Sequence, residues 1–247
     1  MNEDMKGCIA EAIGTFFLCF IGASSICTVT ALGAGAAEGL LMVAVAHGLV
    51  LSIAISATMA ISGGQLNPAV SITLVATGHQ KVPRAVMFII SQLIGATIAG
   101  FLCKAVFSGD VKLVNDGLSL AQAYATSSGG TPEPASGLTT GHGILIEAIL
   151  TFFLVFAIFG TAVDPRAPKI GGFGIGLAIG FDILVGGPLT GASMNPARTF
   201  GPGLAAGVWN EHIIYWIGPI VGGLIAGLIY QHCLMDKGDS GAESSEG

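Results

Sequence analysis

Ser62-Gly63-Gly64-Gln65-Leu66-Asn67-Pro68-Ala69-Val70 and Thr190-Gly191-Ala192-Ser193-Met194-Asn195-Pro196-Ala197-Arg198 carry one pattern twice. Each is a polar, Gly-rich run inside an apolar chain, and each opens an apolar segment too short to cross a bilayer. Asn favours the N-cap and Pro the first helical position, where a missing N–H costs nothing, so both Asn-Pro-Ala triplets read as helix starts. Non-helical backbone at membrane depth is tolerated only where it is buried in protein or lines a cavity. Paired interruptions at corresponding places in two halves of a membrane chain point to a permeation site.

The rest of the composition agrees with a lipid environment. Of 247 residues, 52% are hydrophobic and 10% charged, with mean hydropathy +0.80; a soluble domain carries about a quarter charged residues. The net charge of −6 is partly due to the stretch 236–247, which is too rich in Gly, Ser and Glu to bury a core and reads as a disordered tail. The 38 glycines suit close helix crossings, as in Gly95–Gly100 and Gly222–Gly227. Cys8, Cys19, Cys27, Cys103 and Cys233 lie singly in or at the ends of apolar segments without metal-type spacing, and read as small buried hydrophobes rather than disulfide or metal residues. Glu3, Asp4 and Glu11 argue against a basic cleavable leader.

Six apolar stretches reach the ~20 residues a helical span needs: about Gly7–Thr30, Leu40–Ile61, Val86–Phe107, Ile144–Val163, Gly171–Leu189 and Ile213–Leu234. Pro68–Gly78 and Pro196–Gly207 are half-spans, each covering ~16–18 Å of a ~30 Å hydrocarbon core, and Pro202 is a candidate to end the second early. The expected fold is therefore an all-α membrane protein with six transmembrane helices and two half-helices. Glu11-Ala12-Ile13-Gly14-Thr15-Phe16-Phe17-Leu18 matches Glu147-Ala148-Ile149-Leu150-Thr151-Phe152-Phe153-Leu154, and Ile94-Gly95 is read against Ile217-Gly218. Three full crossings per half make the second copy run in from the opposite face, an inverted repeat. The division is 1–120 for the first repeat, 121–143 for an extracellular connecting loop, and 144–235 for the second repeat. Lys6, Lys81, Arg84, Arg166, Lys169 and Lys237 against Lys104 and Lys112 put both termini in the cytoplasm. Pro132-Glu133-Pro134 resists regular structure in the long connection Ser108 to Gly143.

Two half-helix starts facing each other at the midplane would each present roughly half a positive charge, a barrier to cations and protons. The preceding Gly63-Gly64 and Gly191-Ala192 are expected to be extended, with free carbonyls along a lumen. Arg198 stands where the first repeat has Val70. An arginine at that depth must face water or a partner, so it is either a cationic constriction or half of a buried ion pair with Asp182 or a loop carboxylate. Glu11 and Glu147, one per repeat, are open to two readings: proton relay, or acceptors for the amides of each non-helical loop. Asp182 has no acidic counterpart and is a loop anchor, a polar partner or a pH-sensitive gate, in that order. His142 and His212 sit near span ends, and His79 in the Lys81/Arg84 loop. No metal spacing, Ser-His-Asp arrangement or phosphate loop is visible, and neither an enzyme nor a cofactor is expected.

These motifs, with Arg198-Thr199-Phe200-Gly201-Pro202 after the second triplet, resemble the aquaporin (major intrinsic protein) family over Gly7 to about Cys233. The resemblance implies the aquaporin fold, a homotetramer in the lipid bilayer and one pore per subunit. It also implies a selectivity ring of His47, Ile183, Ala192 and Arg198, with His47 alternatively a helix-packing residue, and structural roles for Glu11 and Glu147. Strict water channels of the family have Phe then His at the first two ring positions; glycerol facilitators have two aromatics and an Asp after the Arg, where this chain has Thr199. The ring here is similar to that of tonoplast-type and archaeal members. The expected activity is passive conduction of water with small neutral solutes, excluding protons and ions, in the cell membrane and without nucleic-acid partners. The alternatives are a facilitator chiefly for ammonia, urea or glycerol, and a proton-coupled transporter.

Overall fold

The computed structural model describes residues 1–236, so the expected disordered tail, apart from Asp236, lies outside the described residues, as does Lys237. The elements follow the apolar segments. α1 (Glu3–Leu32) starts on Asn2, whose side chain accepts the Met5 amide at 2.8 Å, and stops at Gly33 in the left-handed conformation. Only Gly33 to Gly35 separate it from α2 (Ala36–Ser62). The half-helix α3 (Pro68–Ala76) precedes α4 (Val82–Val106). The second half repeats this order. α6 (Thr140–Ile158) runs on as a π turn, Phe159–Val163; α7 (Phe173–Thr190) follows, then the half-helix α8 (Pro196–Ala206) and α9 (Ile214–Ile229), which also ends in a π turn. Between the halves lies the short α5 (Leu120–Thr126).

Among the described residues, six helical stretches are long and apolar enough to cross a bilayer: Glu3–Leu32, Ala36–Ser62, Val82–Val106, Thr140–Val163, Phe173–Thr190 and Ile214–Leu234. The chain is an integral, multi-pass membrane protein. The packing repeats between halves. α1 contacts α2 and α4 as α6 contacts α7 and α9, while each half-helix packs on the other half, α3 on α9 and α8 on α4. α2 and α7 pack on each other across the pseudo-two-fold axis. Apolar burial gives no drive between helices in lipid, so close backbone approach must hold these pairs. A β-carbon on Gly95 would strike the Ala12 carbonyl, and one on Gly222 the Ala148 carbonyl, the same contact in each half. This shifts the expected register by one helical turn. Gly222, not Gly218, corresponds to Gly95, because the match is set by the residue following each glutamate rather than by the isoleucine-glycine pair.

One other expectation is corrected. Pro202 does not end α8, which runs on to a left-handed Gly207; the neighbouring α4 packs on it there, with Gly100 placed against the Gly201 carbonyl and Pro202 nitrogen. The long connection carries a short helix of its own. Ser119 and Gln122 form a reciprocal capping box that starts α5, a signal visible as Ser-x-x-Gln. Residues 132–134 are irregular, as the prolines dictate.

Candidate permeation site

Each short loop before a half-helix is wound around a buried glutamate. Glu11 Oε1 accepts the Ser62 hydroxyl at 2.6 Å and the Gln65 amide at 2.9 Å; Oε2 accepts the Leu66 amide and Gln92 Nε2, both at 2.7 Å. Glu147 does the same in the second half. Oε1 accepts the Thr190 hydroxyl at 2.7 Å and the Ser193 amide at 2.9 Å, and Oε2 accepts the Met194 amide at 2.7 Å. Both side chains are fully buried. These contacts explain why the loops are not extended, contrary to expectation. Gly63, Gly64 and Leu66, and likewise Gly191, Ala192 and Met194, have φ between 45° and 94°. The left-handed residues turn consecutive amides to one side, onto the carboxylate; Leu66, Ala192 and Met194 adopt the conformation without being glycine, at a steric cost the acceptor offsets.

The two helix starts meet. Asn67 Oδ1 caps the Ala69 amide at 2.9 Å, and Asn195 Oδ1 caps those of Ala197 and Arg198 at 3.0 and 3.3 Å. Asn67 Nδ2 donates to the Met194 carbonyl, and Asn195 Nδ2 to the Leu66 carbonyl, both at 2.8 Å. An amide NH2 has two donors, so each asparagine keeps one for the space between them. Pro68, Ala69, Pro196 and Ala197 are buried behind this contact as helix starts and do not face the cavity.

That cavity runs through the middle of the molecule and is narrow, offering about 20 Å³ to the centres of water molecules. One water needs roughly 10–15 Å³ by that measure. Asn67, Asn195, His47, Ile183, Ala192 and Arg198 all line it. At one end it shares Ile183 with a vestibule of about 460 Å³ that includes Gly191. At the other it shares Gln65, Val70, Ile158 and Ile175 with one of about 400 Å³ that includes Gly63 and Gly64.

Its wall is pseudo-symmetric. The offset that carries Asn67 to Asn195 also carries His47, Leu51 and Ile55 on α2 to Ile175, Ile179 and Ile183 on α7, and all six line the cavity. The two polar side chains that break this symmetry, His47 and Arg198, meet at one end. Arg198 is 3% exposed; Nε donates to His47 Nε2 at 3.2 Å and Nη1 to the Gly130 carbonyl at 3.0 Å. His47 Nδ1 lies 2.9 Å from the Val43 carbonyl, which can only accept, so Nδ1 carries the proton and Nε2 is free to accept from the arginine. No room for this ring would exist without Gly22, where a β-carbon would collide with the imidazole.

The buried ion pair considered for Arg198 is therefore absent: among the described residues it pairs with no carboxylate. Asp182 is buried on α7, and its Oδ2 has no hydrogen-bond partner among the described residues, so neither an anchor nor a polar partner is found there for that oxygen. Sequence reasoning missed Gly130, which supplies a carbonyl from the long connection, and Gly22. It also missed Ile158 and Ile175 at the opposite end. The last was within reach, since the Asn67-to-Asn195 offset applied to His47 lands on it.

Comparison with known proteins gives the same outline. The profile of the major intrinsic protein family matches residues 1–230. Aquaporin TIP4-4 of Zea mays is 40% identical over 242 residues, covering 95% of this chain and 88% of that protein. Aquaporin TIP4-1 of Arabidopsis thaliana is 42% identical over 238 residues, covering 94% and 88%. The fold matches the X-ray structure of the aquaglyceroporin from Plasmodium falciparum with a TM-score of 0.75 at 20% identity, over 93% of this chain and 96% of that one. With a lumen-sized cavity between two inverted half-helices and relatives of this similarity along nearly its whole length, the chain belongs to the major intrinsic protein family, the aquaporins.

Proposed function

We propose that the chain is a passive channel that conducts water together with small neutral solutes and excludes protons and ions. The observation that carries this is the pair of spare asparagine donors, Asn67 and Asn195, facing one narrow cavity between two wide vestibules. A water there must turn its oxygen toward both donors. Its hydrogens then point away along the lumen, and a proton cannot be relayed through it, while the two helix N-termini repel cations. Gly63, Gly64 and Gly191 are assigned as carbonyl acceptors at the approaches.

His47, Ile183, Ala192 and Arg198 are assigned as the selectivity ring. Arg198 offers the guanidinium donors not used by His47 and Gly130, and Ile183 and Ala192 supply an apolar wall. That mixture suits neutral molecules such as ammonia or urea beside water. Glu11 and Glu147 are assigned as loop supports. All four oxygens already accept hydrogen bonds, which disfavours the proton-coupled reading.

Family membership supports a homotetramer, and the Lys/Arg bias supports both termini on the cytoplasmic face. The TIP-type relatives turn the reading away from the cell membrane expected from sequence. Stopped-flow light scattering on proteoliposomes tests the function. Osmotic shrinkage should be linear in the gradient, with a low activation energy, and no proton flux should accompany it. Saturable flux driven by a pH gradient would overturn the channel reading.

A further inference from the structure

Cys27 and Cys103, far apart in sequence and read there as isolated, are neighbours. Both are fully exposed to nothing but protein, at 0% accessibility, in one small cluster with Ala23 and Phe107. They sit near the C-terminal ends of α1 and α4 and pack into that one buried cluster. Each also touches a hydroxyl: Ser127 Oγ is 3.3 Å from Cys27 Sγ, and Ser24 Oγ donates to Cys103 Sγ at 3.6 Å. Tyr124 packs on the cluster with a buried hydroxyl that has no partner among the described residues. Two thiols buried in one cluster, each with a hydroxyl beside it, are more than two packing residues require.

The pair stands next to both the solvent and the site. Ser127 and the neighbouring Ile26 and Thr126 line the 460 Å³ vestibule, so a small neutral molecule there is one residue from Cys27. On the other side, the segment that begins at Ser127 lays Gly130 directly on the α1 backbone at Ala23. Gly130 is the residue whose carbonyl holds Arg198.

We propose that Cys27 and Cys103 are an oxidisable dithiol, converted to a disulfide by hydrogen peroxide, and that the disulfide loosens the hold of the 127–130 segment on Arg198. In the first step one thiolate attacks peroxide; an S–O bond forms, the O–O bond breaks, and the hydroxide released takes up that thiol's proton as water. The second sulfur then attacks the sulfenic sulfur; an S–S bond forms, the S–O bond breaks, and the hydroxide leaves with the second thiol's proton as another water. Two thiols are oxidised and one peroxide is reduced to two waters. The disulfide has no S–H to share with Ser127, and it draws the two helix ends together under the loop. An arginine that loses its carbonyl turns its donors into a lumen with room for little more than one water.

The test uses the full chain in proteoliposomes. After hydrogen peroxide treatment, denaturation and alkylation, two of the five thiols should be lost, with mass spectrometry of an unreduced digest yielding a peptide joining Cys27 to Cys103. Osmotic water permeability should fall by about twofold or more and recover with dithiothreitol. C27S and C103S should conduct like the reduced protein and ignore peroxide, while C8S and C233S keep the response. Full alkylation of both cysteines after peroxide overturns the proposal, and a linked peptide with unchanged permeability overturns its coupling to Arg198. The permeability arm rests on the channel reading, whereas the peptide arm does not; a protein that forms the disulfide but conducts no water faults the former alone.

Discussion

At one end of the central cavity His47 and Arg198 touch over Gly22; at the other, the positions related to them by the repeat hold Ile175, Val70 and Ile158. The middle of the lumen, by contrast, is the same from either direction. Asn67 and Asn195 each cap their own half-helix and donate to the other's loop, and Glu11 and Glu147 hold those loops through matched hydrogen bonds. On the proposed function, symmetry is kept where two opposed dipoles would exclude protons, and dropped where one polar ring would discriminate among solutes. Removing the shared parts should damage folding, and exchanging the unshared ones should change selectivity.

The largest effect is expected from the shared glutamates. Glu147→Ala leaves two buried amides and a hydroxyl without an acceptor, and Glu11→Ala leaves two amides, a hydroxyl and the Gln92 amide. Stranded buried donors cost ~1–3 kcal/mol each, so both variants should lose on the order of 3 kcal/mol or more and yield little folded protein. Thermal unfolding in detergent measures this. A pair with unlike behaviour, one tolerant and one lethal, would break the structural equivalence of the repeats.

Next comes Arg198→Val, which copies Val70 and makes the ends alike at that one pair of positions. Loss of the cationic donors should raise urea or glycerol uptake about tenfold, equivalent to ~1.4 kcal/mol of barrier, and admit a proton leak. Uptake in vesicles, read beside a pH-sensitive dye, checks both. If the variant rejects solutes as before, the ring is not the discriminating end.

Ile158→Gly copies Gly22 at the apolar end and should do less. Opening that end should raise water flux by about threefold, without admitting larger solutes, because the polar ring is untouched. A gain in urea uptake as large as that from Arg198→Val would place discrimination at both ends.

How far these differences were legible depends on the kind of contact behind them. The half-helices, the two glutamates and Arg198 declare themselves, because a charge or a proline inside an apolar run has few physical excuses. Gly22 does not: one glycine among 38 gains meaning only from the imidazole above it. Gly130 acts through its carbonyl, which every residue has. The left-handed loops were expected to be extended because Ala192 and Met194 gave no hint of positive φ; the buried acceptor that overrides their preference lies far off in sequence. Cys27 and Cys103 likewise meet only once α1 and α4 have packed.

The smallest expected effect concerns the links between the first two helices of each half. Gly33 to Gly35 suffice between α1 and α2, whereas Asp164 to Gly172 join α6 to α7 and need fastening. Asp164 is tied by Arg166, whose Nε reaches Oδ1 at 2.9 Å and whose Nη2 reaches Oδ2 at 2.6 Å; the same guanidinium reaches Asp236 and the Leu234 carbonyl beyond α9. Hydrogen bonds from Arg166 hold the Asp164 carboxyl down to about 2, from a usual 3.8. A depressed carboxylate stabilises the fold in full above its unfolded value and loses that contribution as pH falls through the folded one. The melting temperature should therefore be insensitive to this group from neutral pH down to about 4, and decline between there and about 2. Asp164→Asn should lower it slightly at neutral pH and remove that part of the decline. Were the variant to melt like wild type at every pH, the clamp would contribute nothing, and the longer link of the second half would be as passive as the three small residues of the first.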